Sequence, residues 1–169
     1  MEVSFTKEQI AKRIKEMAEE ISEAYKDKKL TLVGVLRGGA PFLVDLMREL
    51  DPSLDVEIDF ISVGSYGKAH ESSGIVTVHK DLTGDVSERH VLIVDDVCDS
   101  GRTLAQLMKM FESKCESCEI AVLLSKPSRR VINVDLSYVG FIIPDKFFVG
   151  YGMDDAEKFR NLAEIYAIE

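Results

Sequence analysis

The chain has 169 residues, enough for one ordinary domain and too few for two, and its 46% of hydrophobic residues can supply a single core. A formal net charge of -9 makes the average surface repel phosphate backbones, which argues against nucleic acid as a partner while leaving room for a small anion held locally. Three cysteines suit a reducing compartment better than a disulfide framework, and neither a signal peptide in Met1 to Ile10 nor a membrane span is recognisable, so a cytoplasmic protein without a membrane partner is expected.

Thr6 stands three residues before Gln9 as in a capping box, and Ile10, Ile14, Met17, Ile21 and Tyr25 recur at helical spacing, which predicts an amphipathic first helix. Leu30 to Leu36 reads as a strand, Arg37-Gly38-Gly39 as a turn, and Phe42, Leu43, Leu46, Met47 and Leu50 as the buried face of a second helix. Leu54 to Val63 predicts another strand. The polar, glycine-containing segment Gly64 to Gly74 is expected to be a mobile loop, with Ile75 to Val78 returning from it as a strand.

Val91 to Val94 is fully apolar, Leu104, Leu107, Met108 and Phe111 mark a helix, and Ile120 to Leu124 and Tyr138 to Ile143 complete the predicted strands. Short apolar strands alternating with helices indicate an α/β fold with a central, mainly parallel sheet flanked by helices and ligands at the carboxyl ends of the strands. Residues 1–169 form one domain in this scheme. Its core runs to about residue 143 and a small C-terminal addition follows, with N-terminal contributions allowed.

The run VLIVDDVCDSGRT, Val91 to Thr103, carries the chemistry. Two carboxylates at the end of a buried strand are costly unless they meet water, a cation or hydroxyl donors. Neighbouring strand side chains point to opposite faces, so Asp95 and Asp96 can serve one sugar diol only where the strand turns into a loop. Asp99-Ser100-Gly101-Arg102-Thr103 then offers hydroxyls and backbone N–H groups at a helix start, a recipe for phosphate.

Four apolar residues, two acids, two variable positions and D-S-G-x-T make the run resemble the signature of type I phosphoribosyltransferases, which bind 5-phosphoribosyl-1-pyrophosphate with magnesium. The resemblance implies that Asp95 and Asp96 hold the ribose hydroxyls. Ser100, Gly101 and Thr103, with the backbone of Asp99 and Arg102, would cradle the 5-phosphate.

From about Leu30 onward the chain is similar to the 6-oxopurine branch of that family, the hypoxanthine-guanine type. Leu36-Arg37-Gly38-Gly39 resembles its pyrophosphate loop, whose first peptide can be cis, and Ser65-Tyr66-Gly67 the start of its mobile catalytic loop. Lys126 matches the lysine that donates to the purine 6-oxygen. Pro144 to Tyr151 resembles the PDKF segment, which implies that Phe147 stacks on the purine and the Phe148 backbone reads its edge. Asp154 matches an aspartate near the purine and a second magnesium, so Asp95, Asp96 and Asp154 are the implied metal contacts, partly through water, and Arg160 matches an arginine reaching pyrophosphate. The C-terminal addition thereby becomes a base-binding hood.

What the resemblance implies is purine salvage, with 5-phosphoribosyl-1-pyrophosphate and a 6-oxopurine as partners and Asp99 receiving the proton of purine N7. A homodimer or homotetramer is the expected assembly. Pro127 directly after Lys126 and the bulky Phe148 depart from the usual pattern and leave the preference among hypoxanthine, guanine and xanthine open. The alternatives are a xanthine- or adenine-type transferase, or an RNA-binding regulator on the same fold, against which the acid at position 99 and the negative charge both speak. Cys115 and Cys118 form a C-x-x-C without a second ligand pair, and Arg129 and Arg130 read as a solvated or partner-facing basic cluster.

Overall fold

The computed structural model describes residues 1–65 and 76–168. Helix α1 (Lys7–Ala24) begins at the expected capping box: the Thr6 hydroxyl accepts from the Gln9 N–H at 3.3 Å and the Thr6 N–H donates to Gln9 Oε1 at 2.9 Å. Its apolar stripe Ile10, Ile14, Met17 and Ile21 is buried. Replacing Thr6 by alanine removes one of these bonds at a helix end, so a loss of about 1 kcal/mol in urea unfolding is expected, with kcat unchanged. An unchanged unfolding free energy would show the cap to be idle.

The sheet that organises the molecule has six strands in the order β4 (Val76–Lys80), β3 (Asp55–Ser65), β2 (Lys29–Leu36), β5 (His90–Cys98), β6 (Ser117–Ser125) and β7 (Tyr138–Ile142). All neighbours are parallel except β4, which pairs antiparallel with β3. Helices α1 and α2 (Ala40–Glu49) cover one face through Ile14, Phe42, Leu43 and Leu46 packed on Leu32, Leu92 and Val94. Helix α3 (Arg102–Phe111) covers the other through Leu104, Leu107 and Phe111 packed on Val91, Ile93 and Val122. The fully apolar character of β5 and β6 follows from burial on both faces.

A second, antiparallel sheet of three short strands lies outside this frame: β1 (Glu2–Phe5), β9 (Ile165–Ile168) and β8 (Phe147–Val149). Glu2 pairs with Ala167 and Phe147 with Ile168. The N-terminal strand is thus built into the C-terminal hood. Tyr151, at φ 50, anchors the loop after β8 by donating its hydroxyl hydrogen to Asp45 on α2.

The chain leaves β2 toward β3 in one direction and β5 toward β6 and β7 in the other. The crevice between the carboxyl ends of β2 and β5 is therefore the topological switch point, where open α/β sheets bind ligands.

Candidate active site

At the switch point the turn after β2 meets β5. A Cβ on Gly38 would stand 1.9 Å from Asp96 Oδ2, and a Cβ on Gly152, at φ +98, would stand 2.3 Å from the Gly38 carbonyl oxygen. Turn, aspartate and hood loop are in backbone-level contact there, which only glycines permit. The peptide between Leu36 and Arg37 is cis.

Strand β5 does not end at the aspartates but continues through them to Cys98, so Asp95 and Asp96 leave opposite faces. Asp95 lines a hollow of about 110 Å³ with Val97, Asp99, Ser100, Gly101 and Thr103. Asp96 lines a second hollow, of about 210 Å³, with Asp99, Lys126, Phe147, Phe148 and Asp154. The two adjoin along Val97 and Asp99. The expectation that the strand must give way to a loop at this pair is corrected by the structure: the pair straddles the strand and serves two compartments.

Burial pushes both carboxyls upward from their ordinary range, Asp95 strongly, with the charge of Asp96 adding to the rise. The charge of Arg160 opposes the rise at Asp96. With the carboxyl raised in the folded chain, the stability that Asp95 contributes is present at low pH and is lost as pH rises through the raised value. Asp95→Asn, which keeps the oxygen that accepts the Asp96 N–H at 2.9 Å, is expected to raise Tm at pH 7 by about 2 to 4 °C while lowering activity. A lower Tm would show that the buried charge is already compensated.

Gly101, at φ +83, starts α3 without a side-chain cap, and a Cβ there would meet the Ile132 carbonyl oxygen at 2.6 Å. The Arg102 N–H, the first of α3, donates to Ser100 Oγ at 3.3 Å, and the N–H groups that follow it have no side-chain cap, at a helix start of the kind that suits an anion. Arg102 begins the helix and lines neither hollow.

The turn is held by residues that sequence reasoning left as solvated. Arg130 donates to the Asp99 carbonyl at 3.2 Å and to Ser125 Oγ at 3.0 Å, while Ser100 O accepts from the N–H groups of Val131 and Ile132. Arg129 lies 3.3 Å from the Asp99 carboxylate and 3.8 Å from that of Asp145, linking the turn to the hood. Two adjacent arginines thirty residues beyond Asp99 carried no signal that could separate these roles from solvation.

In the larger hollow Lys126 is nearly buried and its ammonium lies 5.7 Å from the Phe148 ring centroid. Phe148 is packed into the core, whereas Phe147 remains 51% exposed, an unusual state for an aromatic ring and one suited to stacking. Arg160 donates to Gly152 O and pairs with Asp154, both at 2.7 Å, and its Nε is buried with no partner. Arg37 is engaged by Glu157.

Tyr66 lies outside the described residues, as does the expected mobile loop from 66 onward; Ser65 is the last residue of β3. Among the described residues no three of His, Cys, Asp and Glu converge on a metal site, so Asp95, Asp96 and Asp154 do not form a cage of their own. Two adjacent carboxylates, Asp95 buried and Asp96 half-buried, nevertheless fit a divalent cation that brings its remaining oxygens with an anionic substrate, and the unpartnered Arg160 Nε suits the anion. Cys115 and Cys118 sit where α3 meets β6, away from this end of the sheet, and burial pushes the Cys118 thiol up to about 12, against thiolate chemistry.

A mainly parallel sheet with paired acids, a glycine turn into a helix and a hooded hollow at its switch point is the arrangement of a nucleotide-forming transferase. Residues 5–156 match the family model described as phosphoribosyl transferase domain, and the chain belongs to that family. Within it the chain is similar to the hypoxanthine-guanine phosphoribosyltransferase of Bacillus subtilis, at 43% identity over 96% of this chain and 90% of that protein. It is 40% identical to a bifunctional TilS/HprT protein of Listeria monocytogenes, over 96% of this chain but only 25% of that longer one. The crystal structure of a hypoxanthine phosphoribosyltransferase from Staphylococcus aureus superimposes with a TM-score of 0.95 at 39% identity, covering 100% of this chain and 91% of that one. Among the described residues no helix is long and apolar enough to cross a membrane.

Proposed function

We propose that this chain is a purine salvage enzyme of the cytoplasm, transferring the 5-phosphoribosyl group from 5-phosphoribosyl-1-pyrophosphate to hypoxanthine or guanine with release of pyrophosphate. The observation that carries it is the pair of adjoining hollows sharing Asp99. One is built for a phosphate and the other for a flat base carrying an oxygen. The similarity to proteins named for this activity supports the same reading.

In it, Ser100, Gly101, Thr103 and the N–H groups of α3 hold the 5-phosphate, with Asp95 and Asp96 facing the ribose from the two sides of β5. Phe147 stacks on the base and Lys126 donates to its 6-oxygen. A purine nitrogen bonds to the anomeric carbon as the bond from that carbon to pyrophosphate breaks, and the Asp99 carboxylate receives the purine proton at N7. Arg37, Gly38 and Arg160 accept the leaving pyrophosphate. Asp95, Asp96 and Asp154 would hold Mg2+, in part through water, and the ion would add positive charge at the leaving group. The hood would shield the reacting centre from water.

The test is pyrophosphate release with magnesium, phosphoribosyl pyrophosphate and a panel of hypoxanthine, guanine, xanthine, adenine, orotate and uracil. Release with hypoxanthine or guanine is expected, and silence with every 6-oxopurine would end this reading. Assembly as a homodimer or homotetramer belongs to the same proposal, with light scattering at working concentration as its check.

A further inference from the structure

Both cations assigned above to pyrophosphate are already paired with acids, and both acids come from one turn. Asp154 Oδ1 holds Arg160 at 2.7 Å. Three residues on, Glu157 takes a guanidinium nitrogen of Arg37 between its two carboxylate oxygens, with Oε1 at 2.6 Å. The turn is shaped for this contact. Ala156 and Glu157 sit at φ 48 and φ 71, in the left-handed region that residues with a Cβ rarely adopt, and the Glu157 N–H is tied to Asp154 Oδ2 at 2.9 Å.

From this geometry we infer that Glu157 is an internal substitute for pyrophosphate: its carboxylate occupies the anion position on Arg37 and must be displaced when the pyrophosphate moiety binds, so that it sets the affinity for that moiety. The inference rests on the proposed function. The pair is well exposed, with 62% and 64% of the two side chains accessible, so it exchanges readily and competes without blocking. A ligand anion that takes Nη2 of Arg37 displaces Glu157, whose charge then also repels it. The same competition, run in reverse, helps to expel pyrophosphate after transfer, a step that limits many enzymes.

The experiment is titration calorimetry of the full chain with inorganic pyrophosphate and magnesium, comparing the parent with Glu157→Gln, Glu157→Ala and Glu112→Gln. Glu112 caps the far end of α3 and removes the same charge without touching Arg37. Both Glu157 variants are expected to bind pyrophosphate roughly two- to fivefold more tightly, the range of an exposed ion pair, and the Glu112 variant no more tightly than the parent. A merely structural role for Glu157 would weaken binding. Unchanged or weaker binding in the Glu157 variants overturns the inference, as does an equal gain from Glu112→Gln, which would make the effect one of net charge. A parent that turns over a 6-oxopurine while Glu157→Gln shows no gain sinks the inference alone; a parent that binds neither pyrophosphate nor its phosphoribosyl ester sinks the functional reading with it.

Discussion

Replacing Gly38 by alanine is expected to lower kcat/KM by about a hundredfold or more while leaving the fold in place. The added methyl would stand 1.9 Å from Asp96 Oδ2 and 2.7 Å from its Cγ. Asp96 is short, half-buried and tied through Oδ1 to the Val97 N–H at 2.7 Å, so it has no flexible end to swing aside and must give up that bond or push the turn away. Either movement displaces the turn after β2 relative to β5 on the scale of an ångström, for which losses of about 10² are usual. Gly84→Ala is the matched control, because its methyl would meet only Asp59 Oδ2 at 3.8 Å. Circular dichroism and Tm report the fold. A Gly38→Ala protein with turnover within threefold of the parent would show that the contact between turn and strand is dispensable.

Asp99→Asn is expected to cost about 10² to 10⁴ in kcat with the affinity for phosphoribosyl pyrophosphate held within a few-fold. The amide keeps the size of the carboxylate and an oxygen toward Arg129, so the hydrogen-bonded turn, held mainly by Arg130 through the Asp99 backbone carbonyl, stays as it is. What it lacks is a group able to take a proton. Turnover within a few-fold of the parent would remove Asp99 from the chemistry and leave it as part of the phosphate turn alone.

Much of this was legible along the chain. The capping box at Thr6, the alternation of apolar runs and helical stripes, and the positions of β2, β5 and β6 follow from local periodicity, which records burial directly. The three strands of the hood did not show in this way. Each has three or four residues, too few for a period, and their pairing joins Glu2 to Ala167 across the whole chain. A similar limit applies to Arg129 and Arg130, whose partners Asp99 and Ser125 become neighbours only because β5 and β6 lie side by side.

By itself the sequence determined the class of chemistry. An adjacent acid pair, a glycine turn into a helix and a doubled phenylalanine are choices of side chain and backbone freedom, written locally in Val91 to Thr103 and Pro144 to Tyr151. Only the tertiary structure decided how those parts share the work. It carried β5 straight through Asp95 and Asp96 so that each faces its own hollow, brought Gly38, Asp96 and Gly152 into contact at the switch point, and set Glu157 on Arg37. Those relations depend on distances between segments far apart in the chain, and no pattern of neighbouring residues records them.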